Sequence, residues 1–105
     1  MRRMSDIPRA VSTIKIENAR VRVVEWRFAP GAATGWHRHA YDYVVVPITT
    51  GPLALHGTDG AVTTAPLVTG EPYFRTAGVE HDVRNPNATE FVFVEVELKD
   101  APLSG

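Results

Sequence analysis

Residues 31–39 read GAATGWHRH and place His37 and His39 two positions apart in a segment without helical periodicity. In an extended strand, alternate side chains leave the same face, so we expect both imidazoles to point to one side. Two imidazoles on one face are able to chelate one metal ion, because neutral histidine is a common metal ligand in proteins. Taken alone, such a pair is also typical of two surface histidines.

A second stretch carries a third histidine at a set distance from two glycines. Residues 70–85 read GEPYFRTAGVEHDVRN, in which His81 follows Gly78 and precedes Asn85. The first stretch has the form G-x5-H-x-H, and the second has the form G-x5-T-x-G-x2-H-x3-N. The two patterns occur in this order along the chain, which makes them a far more specific signal than one histidine pair.

These stretches resemble the two signature motifs of the cupin family, G-x5-H-x-H-x3,4-E-x6-G and G-x5-P-x-G-x2-H-x3-N, with Thr76 where the family has proline. The resemblance implies an all-β chain folded as a double-stranded β-helix, which is a small jelly-roll barrel, of the small bacterial type. It also implies that His37, His39 and His81 converge on a divalent transition metal in the barrel mouth. Such a three-histidine set leaves open positions for water or substrate.

The composition independently favours strands. The 105 residues include 14 Val, 4 Ile and 10 Thr against 5 Leu and 2 Met, and β-branched side chains prefer strands to helices. About eight short apolar runs alternate with turn residues, which is typical of an antiparallel sandwich or barrel. At this length we expect one domain over residues 1–105, with mobile ends at residues 1–10 and 101–105.

The predicted strands cover residues 12–17, 20–28, 36–49, 53–56, 61–65, 73–75, 81–85 and 90–98. In the last strand, the side chains expected to face the core are Val92, Val94, Val96 and Leu98. The side chains expected to face outward are Phe91, Phe93, Glu95 and Glu97. Trp26 and Phe28 are expected to line the cavity or the core.

This outer face and the first strand together predict a homodimer. Two outward phenylalanines are more apolar surface than a small monomer usually leaves in water. The short strand at residues 12–17 is a candidate sheet edge, which favours pairing with another chain. Cupins that this chain resembles commonly dimerise through such sheet faces, and a stable interface buries well over ~1,000 Å² in total.

Charge and cysteine content exclude several classes of protein. The 11 Lys and Arg residues nearly balance the 12 Asp and Glu residues, so the sequence has no basic footprint for nucleic acid or an anionic membrane. No stretch approaches the ~20 apolar residues of a membrane helix. Without cysteine, no disulfide, thiolate nucleophile or Cys-ligated metal is available, and we expect a cytoplasmic protein.

One family position departs from the pattern. Counting forward from His39 places the motif glutamate at Tyr43, counting back from Gly51 places it at Val44, and Asp42 is the nearest carboxylate. Strand alternation predicts that Tyr41 and Tyr43 face inward, as cavity phenols or as ordinary core aromatics. The expected ligand set is therefore three neutral histidines, which should weaken the affinity for hard divalent cations.

Other polar residues are assigned more briefly. His56 is expected to face solvent or to be hydrogen-bonded rather than to bind metal, and Asn85 is expected to form a turn. Arg75 lies within the second stretch, and a single arginine there is weak evidence for an anionic substrate.

Two functions remain open from the sequence. The first is a metal-dependent enzyme of the dioxygenase or isomerase type, in which Tyr43 orients or protonates a small molecule in the barrel cavity. The second is a non-catalytic metal or small-molecule binding or sensor module, and a metal-free relic of the fold is a weaker third. Three histidines suit iron, zinc, nickel, manganese or copper, so the sequence does not identify the metal.

Overall fold

The protein was analysed as a computed structural model, which describes residues 6–99. These residues form nine strands. The strands are β1 (Val11–Glu17), β2 (Val21–Phe28), β3 (Ala33–Arg38), β4 (Asp42–Pro47), β5 (Gly51–His56), β6 (Val62–Leu67), β7 (Tyr73–Arg75), β8 (Glu80–Arg84) and β9 (Phe91–Leu98). None of the described residues forms a helix long and apolar enough to cross a membrane.

The strands build two antiparallel sheets that enclose one core. The first sheet has the order β1-β2-β9-β4-β7, and the second has the order β3-β8-β5-β6. Core side chains come from both sheets, since Phe28 and Phe91 on the first pack in one cluster with Leu53 and Val83 on the second. Burying each phenylalanine contributes roughly 1.5–3 kcal/mol. The all-β jelly-roll barrel expected from the motifs is confirmed.

The single strand predicted at residues 36–49 is wrong, because the chain changes sheets within it. β3 ends at Arg38 and belongs to the four-stranded sheet, whereas β4 begins at Asp42 in the five-stranded sheet. Between them, the backbone of His39 accepts a hydrogen bond from the Gly78 amide at 2.8 Å. Gly78 has φ of 94°, a conformation that only glycine adopts freely, so this contact depends on the motif glycine.

The faces of β9 are the reverse of those predicted. Phe91 is fully buried, and Phe93 and Glu95 are 6% and 5% exposed. On the opposite face, Leu98 is 38% exposed. Val92 is also buried, at the end of β9, where the backbone of Thr49 pairs with it. The alternation was read correctly, but the wrong set was assigned to the interior.

The outer face of the five-stranded sheet carries a row of apolar side chains. Side chains from all five strands lie in one row across it, because the register pairs each with the next. This row, the outer apolar row, consists of Ile16, Val23, Val96, Val44 and Phe74. At its two ends Ile16 is 50% exposed and Phe74 is 55% exposed. All seven residues of β1 are exposed, since no strand of the second sheet covers it.

The segment before β1 is attached to the barrel. The Pro8 carbonyl accepts a hydrogen bond from the Ala33 amide at 2.9 Å, and the Ala10 amide donates to the Ala33 carbonyl at 3.0 Å. The arm expected to be mobile over residues 1–10 is therefore anchored at residues 8–10. Residues 1–5 of that arm and the tail at residues 101–105 lie outside the described residues.

Candidate metal centre

Neighbouring strands bring the three motif histidines together. β3 pairs with β8, and the register places His37 directly opposite His81. His39 follows β3 by one residue, and its amide donates to the Val79 carbonyl at 2.9 Å, which continues the pairing past the end of the strand. His39 and His81 are each 8% exposed, whereas His37 is half-buried.

The imidazole nitrogens converge on one point. Nε2 of His39 lies 3.1 Å from Nε2 of His37 and 3.1 Å from Nε2 of His81. One ligand atom from each histidine lies within 4.8 Å of the others. Two nitrogens bonded to one ion at about 2.1 Å are about 3 Å apart when the angle at the ion is near 90°. The two 3.1 Å spacings therefore fit ligation of one metal ion, and the widest pair, at 4.8 Å, would have to close to about 4.2 Å or less to share it.

The protonation state of the rings also fits a metal. Nδ1 of His37 donates to the Gly35 carbonyl at 2.9 Å, which leaves the lone pair on Nε2, the atom that faces the other histidines. Burial, followed by the charges of the other histidines, lowers the pKa of His39 to about 3. Burial similarly lowers the pKa of His81 to about 4. Both rings are neutral at pH 7, as metal ligation requires.

Tyr43 occupies the interior position next to the histidines. Its ring stacks on His39 with centroids 3.9 Å apart, and the side chain is 2% exposed. Burial raises the pKa of the phenol well above its usual range. The hydroxyl makes no hydrogen bond with residues 6–99, where no fully buried side-chain oxygen or nitrogen lacks a partner, so the hydroxyl opens into the cavity. A neutral proton donor therefore stands beside the histidines.

The structure distinguishes the three residues considered for the glutamate position. Tyr43 faces the interior, Val44 faces the opposite side of β4, and Asp42 is exposed and accepts a hydrogen bond from the Ala77 amide at 2.7 Å. Tyr41 does not line the cavity, because the chain turns between β3 and β4 and interrupts the alternation on which that assignment depended.

A glutamate at position 43 is expected to strengthen metal binding. Tyr43→Glu would place an anionic oxygen beside the histidines, and we expect the affinity for Mn²⁺ or Fe²⁺ to rise at least about tenfold, as carboxylates attract hard cations strongly. Val44→Glu is the matched control, because its side chain leaves the other face. Competition titration with a chelating dye measures both. Tighter binding by Val44→Glu alone would contradict this register.

Sequence reasoning missed one carboxylate at the site. Oε1 of Glu95 lies 3.7 Å from Nδ1 of His39, and both side chains are 7% exposed. Burial, followed by the neighbouring Glu97 carboxylate, raises the pKa of Glu95 to about 7. Neither histidine motif includes β9. The available signal was that two phenylalanines and two glutamates share one face of β9. A face that combines aromatic and charged side chains is typical of a ligand cavity.

The histidines open onto a cavity inside the barrel. It holds about 410 Å³ of empty space, including its open mouth. Its wall consists of Trp26, His37, His39, Tyr43, Val45, Leu53, Leu55, Tyr73, Arg75, His81, Val83, Phe93 and Glu95. Trp26 therefore lines the cavity and Phe28 the core, as expected. His56 is absent from this wall and from the histidine cluster, also as expected.

Asn85 has the structural role that the motif suggested. It is 1% exposed, and its side-chain nitrogen donates to the carbonyls of Phe28 at 3.1 Å and Thr89 at 2.9 Å. Its side-chain oxygen accepts from the Asn87 amide at 2.9 Å. These bonds connect the end of β8 to β2 and to the turn before β9.

Comparison with known proteins identifies the protein family to which this fold and this histidine cluster belong. The Cupin domain family matches residues 24–97. That range begins within β2, ends one residue before the end of β9, and includes all three histidines. The chain belongs to the cupin family.

Two relatives are similar over nearly the whole chain. The beta-alanine degradation protein BauB of Pseudomonas aeruginosa is 59% identical over 96 residues, which cover 91% of this chain and 100% of BauB. A cupin domain from Bordetella pertussis Tohama I is also 59% identical, with a TM-score of 0.85 over 88% of this chain and 95% of its own. A protein with a double-stranded β-helix domain from Klebsiella pneumoniae shares the fold at 24% identity, with a TM-score of 0.71 over 89% of this chain and 80% of its own.

Proposed function

We propose that the protein is a metal-dependent enzyme of the dioxygenase or isomerase type that acts on a small organic molecule in the barrel cavity. The observation that carries this proposal is the convergence of the His37, His39 and His81 Nε2 atoms at the cavity wall. A divalent metal held by these atoms supplies Lewis-acid polarisation, or oxygen activation if it is iron. Iron, zinc, nickel, manganese and copper all suit a three-histidine set.

The remaining residues of the cavity supply binding and proton transfer. Trp26 and Phe93 form apolar wall that excludes water from the reacting molecule. Tyr43 holds its proton at neutral pH and presents its hydroxyl to the cavity, so it is placed to orient or protonate the substrate. The relative named for beta-alanine degradation supports a small-molecule substrate for this chain.

The second candidate is a non-catalytic metal or small-molecule binding module. It is favoured by one observation, which is that neither Tyr43 nor Val44, the two positions to which the motif count assigns the family glutamate, carries a carboxylate. Three neutral ligands leave the charge of a divalent ion uncompensated, which weakens the binding of hard cations and favours softer ones such as zinc or nickel.

Elemental analysis and oxygen uptake distinguish the two candidates. Protein purified without added metal would be analysed and then supplied with β-dicarbonyls, thiols and phenols. We expect iron with turnover for the enzyme, whereas zinc or nickel held without turnover of any substrate would support the binding module.

Tyr43→Phe tests the role of the phenol. We expect turnover to fall about a hundredfold with the metal content unchanged, because the variant loses only the proton donor. Tyr41→Phe is the matched control, since Tyr41 lies outside the cavity wall, and it should retain full activity. Equal activity of Tyr43→Phe and the parent protein would contradict the assignment.

We further propose that the protein is a homodimer that buries the outer apolar row. The sequence predicts an interface that includes Phe91 and Phe93, but these side chains lie inside the barrel. The outer apolar row is therefore the interface that we propose. Ile16 and Phe74 at its ends are half exposed in a single chain, and the valines between them join them into one strip. A second copy is the partner that an uncharged, self-complementary strip fits best.

A further inference from the structure

Arg75 is the one cationic side chain in the cavity wall, and it has no acidic partner among residues 6–99. Among the other strand arginines, Arg22, Arg27 and Arg84 each approach a carboxylate oxygen within 2.9 Å, and Arg38 is exposed to solvent. Arg75 makes no ion pair and no hydrogen bond with the described residues, although it is partly buried. A guanidinium kept inside a cavity without a partner is costly unless a ligand anion completes it.

The position of Arg75 relates it to the histidines. In the short strand β7 it pairs directly with Tyr43, so both side chains face the barrel interior. Arg75 and His81 line the inner cavity, and both also line an outer cleft that includes Leu55, Thr63 and Glu80. Arg75 therefore borders both the outer cleft and the cavity that contains the histidine cluster.

The charge of the cavity points to an anion. Glu95 is the only acid in the wall of the inner cavity, and it lies on β9 beside His39 rather than at Arg75. Asp59 and Glu80 line the outer cleft, and neither forms an ion pair with Arg75. The positive charge of Arg75, and that of any divalent ion on the histidines, is thus left for the ligand to balance.

We propose that Arg75 binds the carboxylate of a short-chain carboxylic acid and directs the rest of the molecule toward the three histidines. The planar guanidinium offers parallel N–H donors that match the two oxygens of a carboxylate. A single fork suits a monoanionic carboxylate better than a phosphate dianion, which usually recruits several donors. The proposal deepens the proposed function, on which it rests for the identity of the cavity as the substrate site.

Calorimetric titration with sodium propionate and with its neutral isostere propionamide tests the proposal. We expect the parent protein to bind propionate at least about tenfold more tightly than propionamide, because a hydrogen bond to a charged group is a strong one. Arg75→Gln should remove this preference while retaining its metal, and Arg75→Lys should keep part of it. Arg38 is an exposed arginine between His37 and His39, and Arg38→Gln removes the same charge outside the wall of the inner cavity, so the preference for propionate should not change.

The titrations are run on metal-free and zinc-loaded protein, so that the two proposals fail separately. If propionate binds through Arg75 but no metal binds, the anion site stands and the metal-dependent enzyme does not. If metal binds and Arg75→Gln takes up propionate as the parent does, the Arg75 proposal is overturned while the metal site remains. Preference for inorganic phosphate over propionate, or no binding of propionate to either form, also overturns it. If Arg75→Gln does not fold, Arg75→Lys decides the question instead. An undiminished preference of Arg75→Lys for propionate over propionamide, together with an altered metal content, would count against the proposal.

Discussion

Replacing His37, His39 or His81 with alanine is expected to weaken metal binding by about a hundredfold or more. The three histidines lie side by side, and each would supply one bond to a shared ion. A structural zinc site of four ligands binds with about 10–16 kcal/mol, or about 3 kcal/mol for each ligand, which corresponds to a factor of about a hundred. Inductively coupled plasma analysis of each purified variant, followed by dye-competition titration, measures the loss.

His56→Ala is the control for the histidine variants. His56 lies on β5 outside the cluster, and its replacement should leave the metal content unchanged. Circular dichroism would establish that all four variants are folded. A variant series in which His56→Ala empties the site and His81→Ala leaves it full would show that the motif assignment is wrong.

The histidine cluster was predictable because it depends on local geometry. Two residues that are two apart on a strand share a face whatever surrounds them, and this fixes the relation between His37 and His39. The position of the third histidine, His81, followed from the second family motif. In the structure, His81 on β8 pairs directly with His37 on β3, so the two motifs lie on neighbouring strands. Asn85 and Gly78 followed in the same way, since each makes a backbone contact that its residue type suits.

The orientation of Tyr41 was not predictable from alternation. Residues 36–46 contain neither glycine nor proline, so the sequence gives no sign that the chain leaves one sheet and enters the other there. The change of sheet after Arg38 resets the alternation, so Tyr43 faces the cavity and Tyr41 does not. Alternation is reliable only within one strand, and the end of β3 depends on its pairing with β8, which is a contact between residues distant in sequence.

The orientation of β9 was wrong for a different physical reason. One face carries three valines and a leucine, and the other carries two phenylalanines and two glutamates, so hydropathy alone assigns the first to the core. The barrel interior contains a cavity, however, and its wall includes aromatic side chains and the Glu95 carboxylate beside His39. The valine face contributes to the outer apolar row instead, whose end residues Ile16 and Phe74 are half exposed in a single chain.

Glutamate substitution in the outer apolar row is expected to convert a dimer into a monomer. Val44 and Val96 are paired neighbours in the centre of the row, so a charge on either would be buried without a partner at the interface. We expect the parent protein to sediment near twice the 11.5 kDa mass of one chain at micromolar concentration. Val44→Glu and Val96→Glu should each sediment near the mass of one chain.

Val62→Glu is the matched control for this interface. Val62 is 55% exposed on β6 at the edge of the second sheet, so the same substitution adds the same charge away from the row. It should leave the dimer intact. Five strands spaced by about 4.8 Å give the row a span of about 20 Å, enough to anchor an interface of standard size when the fully exposed β1 contributes as well. A parent protein that sediments as a single chain would refute the dimer, and a dimer that withstands glutamate at both Val44 and Val96 would place its interface on another face.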